Sequence, residues 1–202
     1  MAAIFGAKIE IPGQMMKTIA LVALSLALLV SSAFSQDYSK AEVFGGYSIM
    51  HSSTLDGLGT YEYAGFDVDA TYYFLRNVGL TADIQYYRKD VSSRFPGGAI
   101  REFGLLFGPR LKVRKGRMEP FIHALFGFTN DFANGPGLAN TSGDEFSEKV
   151  GGGLDVSVSK HFAVRAGEVN YYYYTGWVPP FAGPNWAHIK NLLISTGIVV
   201  KF

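Results

Sequence analysis

Residues 65–73 read Gly-Phe-Asp-Val-Asp-Ala-Thr-Tyr-Tyr. In an extended chain successive side chains point to opposite faces. Phe66, Val68, Ala70 and Tyr72 then share one face, and Asp67, Asp69 and Thr71 the other. A helix would scatter both sets around its circumference. The segment therefore predicts a strand with one apolar and one polar face.

The same period of two recurs along the chain. In 41–50, Val43, Gly45, Tyr47 and Ile49 oppose Glu42, Phe44, Gly46 and Ser48. In 78–87, Val78, Leu80, Ala82, Ile84 and Tyr86 oppose Thr81, Asp83 and Gln85. Residues 103–113 set Phe103, Leu105, Phe107, Pro109, Leu111 and Val113 against Gly104, Gly108, Arg110 and Lys112. Residues 120–129 set Ile122, Ala124, Phe126 and Phe128 against His123, Gly127 and Thr129. In 150–159, Leu154, Val156 and Val158 alternate with Gly153, Asp155, Ser157 and Ser159. The last strand, 191–202, places Leu192, Ile194, Ile198, Val200 and Phe202 opposite Asn191, Ser195, Gly197 and Lys201. One strand, 163–174, changes parity: Val164 and Ala166 are even, whereas Val169, Tyr171 and Tyr173 are odd. A slip of one residue inverts the faces, so a β-bulge is expected near Gly167.

The connections alternate in length. Short turns are expected at 74–77, 114–119 and 160–162; long Gly/Pro/Asn-rich loops at 51–60, 88–98, 130–146 and 175–187. This is the order of an eight-stranded antiparallel up-and-down barrel with both termini on the short-turn side. Short inner turns, long outer loops and strands of about 9–11 residues suit a transmembrane β-barrel.

Composition narrows the function. Lys plus Arg number 18 and Asp plus Glu 17, so the net charge is +1 and no basic excess exists to bind nucleic acid. The chain has 0 Cys, which excludes disulfides, thiol catalysis and Cys-ligated metal. Charged residues make up 17% against the roughly 25% of soluble domains, while aromatics reach 15%. At the N-terminus, Met16 and Lys17 precede the apolar run TIALVALSLALLV at 18–30 and then Ser31-Ser32-Ala33-Phe34-Ser35. Charged, apolar and small-residue regions in that order predict a signal peptide at 16–35, cleaved before Gln36. Residues 1–15 read as a spurious extension upstream of the true start, and 36–202 as the mature barrel domain. The apolar run is short for a span of about 20 residues, and no later run reaches the roughly 18 a transmembrane helix needs. An exported chain without cysteine points to a bacterial envelope.

Alternation alone also fits a soluble barrel with its apolar face inside. Three features place lipid outside. The polar face mixes small residues with charges of both signs: Glu42, Asp67, Asp69, Asp83, Arg110, Asp155, Arg165 and Glu168. A small interior filled by paired charges needs that mixture, because an isolated buried charge is costly. Aromatics cluster at strand ends, as Tyr72-Tyr73-Phe74, Tyr86-Tyr87, Tyr171 to Tyr174 and Trp177, where interfacial girdles would lie. The chain also stops on an amphipathic strand ending in Phe202. Phe66, Val68, Leu80, Ile84, Phe126, Leu154, Val156 and Ile198 are then expected to face lipid.

The segments Val43-Phe44-Gly45-Gly46-Tyr47, Gly108-Pro109-Arg110, Gly151-Gly152-Gly153-Leu154-Asp155 and Ser195-Thr196-Gly197-Ile198-Val199 look like strand motifs of one family. Taken in order over 41–202, the chain resembles the small bacterial outer-membrane β-barrels, similar to the barrel domain of outer-membrane protein A. The resemblance implies an outer-membrane location, an insertion signal at Phe202, the barrel-assembly machinery as a transient partner, and lipid with lipopolysaccharide as surroundings. The last strand ends the chain, so no peptidoglycan-binding domain is expected after it.

Little in the sequence suggests catalysis. His51, His123, His161 and His188 form no HExxH motif, and neither a Walker loop nor GxSxG occurs. Gly151-Gly152-Gly153 precedes no helix that would bind phosphate, and reads as close packing inside a barrel. Asp67, Asp69, Asp83 and Asp155 suggest a metal cluster at first sight, but Arg110 and Arg165 on the same face favour neutralisation. A lipid-modifying barrel enzyme would need His and Ser together on the lipid face, yet His123 precedes Ala124 and Leu125, and His161 precedes Phe162. No catalytic, cofactor or metal residue is assigned. The expectation is a monomeric, non-enzymatic barrel with a structural or surface-display role and little solute flow. Its interior is closed by ion pairs joining Arg110 and Arg165 to some of Asp67, Asp69, Asp83, Asp155 and Glu168. The alternatives are a narrow pore or a lipid A-modifying enzyme.

Overall fold

Strands form wherever alternation lets one face meet side chains and the other meet lipid. The computed structural model describes residues 38–53, 60–90, 98–134, 142–177 and 186–202. The expected spurious extension 1–15 and signal peptide 16–35 lie outside the described residues. The eight strands are β1 Ala41–Ser53, β2 Thr60–Tyr73, β3 Val78–Asp90, β4 Ala99–Lys112, β5 Met118–Asn134, β6 Ser142–Ser157, β7 Phe162–Trp177 and β8 Trp186–Lys201. Each pairs antiparallel with the next, and β8 returns to β1 to close a barrel. Closure has a physical cause: an open edge would leave N–H and C=O groups unpaired in lipid. At the seam Glu42 pairs with Lys201, and the Phe202 N–H donates to the Ala41 carbonyl at 2.8 Å.

The short turns lie where expected, at 74–77, 113–117 and 158–161. Gly116 takes φ +69° in the β4–β5 turn, a conformation costly for a side chain with Cβ. Ser159 Oγ accepts from the His161 and Phe162 amides at 3.2 and 3.1 Å, closing the β6–β7 turn.

The long loops are shorter than expected. Residues 51–53, 60, 88–90, 130–134, 142–146, 175–177 and 186–187 are strand. Thr60, expected in a loop, begins β2. The alternation fades there because both faces meet polar surroundings. The ladder continues regardless: Asn130 pairs with Asp144, and Asp131 with Gly143.

The faces divide as the alternation predicts. Phe66, Val68, Leu80, Phe126 and Ile198 are exposed on the outer wall, and Ile84, Leu154 and Val156 half-buried. Asp67, Asp69, Asp83, Arg110 and Asp155 are buried within. Along β4 and the first residue of the turn after it, the outward apolar row runs from Phe103 to Val113, a height of about 25 Å for a tilted strand. Outward polar residues follow on the loop side at His51, Glu62, Arg88, Arg101 and Lys190, while on β5 and β6 Asn130 and Glu148 alternate with the outward Phe132 and Phe146.

The tyrosine clusters need correction. Tyr72, Phe74 and Tyr171 are exposed, but Tyr73, Tyr87, Tyr172 and Tyr174 are buried in the interior. Neighbours in a strand face opposite ways, so half of any aromatic run must leave the girdle.

The register shift in β7 falls at 166–167. Toward β6, Arg165 pairs with Asp155 while Gly167 pairs with Leu154; toward β8, Arg165 pairs with Gly197 and Glu168 with Ser195. The bulge lets Arg165 and Glu168, of opposite parity, both point inward.

Candidate functional site

The interior contains two kinds of packing, a salt-bridged centre that continues toward the turns and a larger apolar cluster toward the loops. At its centre lies the Asp69 carboxylate on β2. Arg110 from β4 grips it with two nitrogens, Nη1 to Oδ1 and Nη2 to Oδ2, each at 2.8 Å. Arg165 from β7 reaches the same Oδ2 through Nη1 at 2.7 Å. Its Nε donates to Asp155 Oδ1 at 2.9 Å, and Nη1 also donates to Glu168 Oε2 at 2.5 Å. One arginine thus ties β2, β6 and β7 together. Its guanidinium carbon lies 3.8 Å from the Phe44 ring centroid and 4.5 Å from that of Phe121, so cation–π contact covers its faces.

Glycines open the space for this stack. A Cβ on Gly46 would sit 2.4 Å from the Phe44 ring, and one on Gly197 would sit 2.8 Å from it. The triple glycine has a similar role: a Cβ on Gly153 would meet the Phe121 ring at 2.9 Å, and one on Gly151 would meet Asn170 Oδ1 at 2.1 Å.

His123 is buried beside this centre. Arg110 Nη2 lies 3.2 Å from its Nδ1, and its Nε2 lies 2.7 Å from Asn170 Oδ1. Arginine only donates, so Nδ1 accepts and Nε2 carries the proton toward the amide oxygen. Here the histidine links polar groups within the wall.

The structure brings together Arg110, Arg165, Asp69, Asp155 and Glu168, but Asp67 and Asp83 have a different cation. Lys149 Nζ from β6 lies 2.9 Å from Asp67 Oδ2 and 2.9 Å from Asp83 Oδ2. Toward the turns, Lys112 reaches Glu42 at 2.5 Å and Asp155 at 2.7 Å, and Lys201 reaches Glu119 at 2.7 Å. Arg114 adds a 3.1 Å contact to Glu42. Lys149, Lys112, Lys201, Glu42 and Glu119 are absent from the network assigned from sequence. Parity was the available signal. Lys149 continues the inward series Gly151, Gly153 and Asp155 by one step, just before the expected start of β6.

The loop-side half holds an apolar cluster among buried polar groups such as Glu102, Ser48 and Thr129. Met50, Tyr87, Leu106, Leu125, Tyr172, Tyr174 and Leu193 pack as one buried cluster. Tyr174 Oη donates to Glu102 at 3.0 Å, the Tyr87 hydroxyl bonds Ser48 at 2.8 Å, and the Tyr172 hydroxyl bonds Thr129. These residues occupy the face read as polar, which the sequence reading closes by ion pairs without naming an apolar cluster. Tyrosine fills volume with its ring while its hydroxyl finds a partner, so it suits a dry barrel.

An eight-stranded antiparallel barrel with an apolar outer belt and a salt-bridged interior is a transmembrane β-barrel. The chain belongs to the outer membrane protein beta-barrel domain family, whose sequence model matches residues 20–202, and its location is the bacterial outer membrane. No curated protein matches it by sequence. Among solved structures it is similar to Neisserial surface protein A (NspA), at 15% identity over 83% of this chain and 100% of that chain, with TM-score 0.61. It is also similar to Ail, the attachment invasion locus protein of Yersinia pestis, in complex with the heparin analogue sucrose octasulfate. That match has 13% identity over 82% of this chain and 99% of the other, with TM-score 0.56. At such identities the likeness is one of fold.

Proposed function

We propose that this protein is a non-enzymatic, monomeric barrel that supports the envelope and displays its outer loops, with little or no solute conduction. One observation carries the proposal: Arg110, Asp69, Arg165 and Asp155 form a continuous ion-paired bridge across the interior, linking β4, β2, β7 and β6. An eight-stranded barrel has room for side chains or for water, but not for both. The surroundings proposed for it are outer-membrane lipid and lipopolysaccharide, reached by export and by the barrel-assembly machinery.

Conductance tests this. Refolded protein in a planar bilayer should show no discrete current steps. Regular steps from the wild-type chain would favour a pore instead.

Insertion supplies a second prediction. Phe202 lies outside the ladder core, yet its amide closes the β1–β8 seam. If it carries the assembly signal implied by the sequence resemblance, deleting it should leave protein in the periplasm. A deletion within 135–140, beyond the end of β5, should still insert. Protease-protected barrel in outer-membrane fractions is the readout. Normal insertion without Phe202 would remove its targeting role.

A further inference from the structure

The outer wall carries a pair of arginines that the interior does not neutralise. Arg88 on β3 and Arg101 on β4 are register partners, both on the outward face. Directly below them the outward pair is Tyr86 and Phe103, the last of the apolar belt at this point. Partners in an antiparallel ladder hold their Cβ atoms about 4.5–5.5 Å apart, and like charges so placed repel. The outward carboxylates next in the ladder are Asp90, one step along β3 on the loop side, and Glu62, diagonal to Arg88 on β2 and in contact with His51. Other polar residues at this height have partners: His51 Nδ1 lies 3.3 Å from Glu62, and the Asn130 amide donates to Asp144 at 2.5 Å. Their lateral neighbours, Ala64 on β2 and Phe132 on β5, bring no charge.

We infer that Arg88 and Arg101 together form a binding site for the phosphate of a lipid headgroup in the outer leaflet. Two guanidinium forks suit a tetrahedral anion, since each can offer paired N–H donors. Height selects the source. The pair sits where the apolar belt ends on the long-loop side, level with the headgroups of the leaflet whose acyl chains cover Tyr86 and Phe103. A soluble anion would gain nothing from that apolar floor, whereas a lipid satisfies both surfaces. The assignment of this rim to the outer leaflet rests on the outer-membrane reading above. The repulsion within the pair is then relieved by the ligand that the pair recruits.

The test uses the full barrel in zwitterionic detergent, titrated with bis-phosphorylated lipid A and followed by native mass spectrometry of bound lipid. At about one kilocalorie of attraction per basic residue near an anionic surface, R88Q and R101Q should each weaken binding roughly fivefold, and the double variant some twenty- to thirtyfold. R117Q, a basic substitution in the opposite turn, should bind as wild type. Lipid A stripped of phosphate should abolish the difference between variants, and inorganic phosphate should not compete at millimolar concentration. With no anionic lipid present, R88Q/R101Q should be at least as stable as wild type, which a merely structural pair would not show. Equal binding by R88Q/R101Q and wild type overturns the site, as does an equal loss in R117Q. Binding in micelles does not depend on cellular location, so a chain that fractionates away from the outer membrane would defeat the outer-membrane reading and leave this measurement intact. Should the double variant fail to fold, the single variants carry the same comparison.

Discussion

Arg165→Met should destabilise the barrel by about 3–5 kcal/mol, because removing one member of a buried ion cluster leaves the other members charged without compensation. Asp69, Asp155 and Glu168 all depend on this guanidinium. Arg110 still reaches Asp69, and Lys112 still reaches Asp155, but Glu168 loses its direct cation and keeps contacts to Asn170 and His123. Arg165→Lys restores the charge but not the geometry. One ammonium group cannot reproduce the separate Nε and Nη1 directions toward β6 and β2, so it should recover only part of the loss. Denaturant unfolding in detergent, monitored by heat-modifiable gel mobility, measures both. An Arg165→Met barrel as stable as wild type would show that the cluster is not needed to hold the wall together.

Val68→Arg should lower stability by about 2–4 kcal/mol, the cost of a cation facing hydrocarbon near the bilayer midplane. Val68 lies at the centre of the outward row Tyr72, Ala70, Val68, Phe66 and Ala64, and its register partners Gly45 and Ile84 bring no counter-charge. Met118→Arg supplies the comparison. Met118 faces outward at the first position of β5, where the belt meets water, and the same change there should cost about 0–1 kcal/mol. The measurement is folding free energy in lipid vesicles. Equal costs at the two positions would contradict the depth assigned to Val68.

These effects depend on faces, and faces were the part of the fold most legible in the sequence. Period-two alternation at 65–73 and its repeats defined eight strands, the parity switch located the bulge, and terminal Phe202 indicated the closing strand. Strand length was less legible. Once β5 and β6 rise above the belt, Asn130, Asp131 and Asp144 carry polar side chains on both faces, and nothing distinguishes such a ladder from a loop. Partner choice was not legible at all. Lys149 meets Asp67 and Asp83 across the interior, from strands that are not neighbours in the sheet. Which residues meet there is set by strand stagger, which a single sequence does not encode locally. The apolar cluster of the interior was missed for another reason. Leu106, Leu125, Leu193 and Met50 lie on the inward parity, but a polar face interrupted by single apolar residues reads as noise until the strands are closed into a ring.

The bulge in β7 gives the strand a kind of reading frame. From Phe162 to Arg165 odd numbers face inward, and from Glu168 onward even numbers do. A point substitution in this strand changes one side chain. Loss of one residue at 166–167 would only remove the bulge, because two residues there stand where β8 has one, and Arg165 and Glu168 would both still face inward. Loss of one residue above it, at Val169 for example, would shift everything beyond by one position. Asn170, Tyr172 and Tyr174 would then turn to lipid, and Tyr171 and Tyr173 would turn inward. Descendants of this chain can therefore vary β7 widely in composition and lose the extra residue at the bulge, but elsewhere in the strand they change its length only by two.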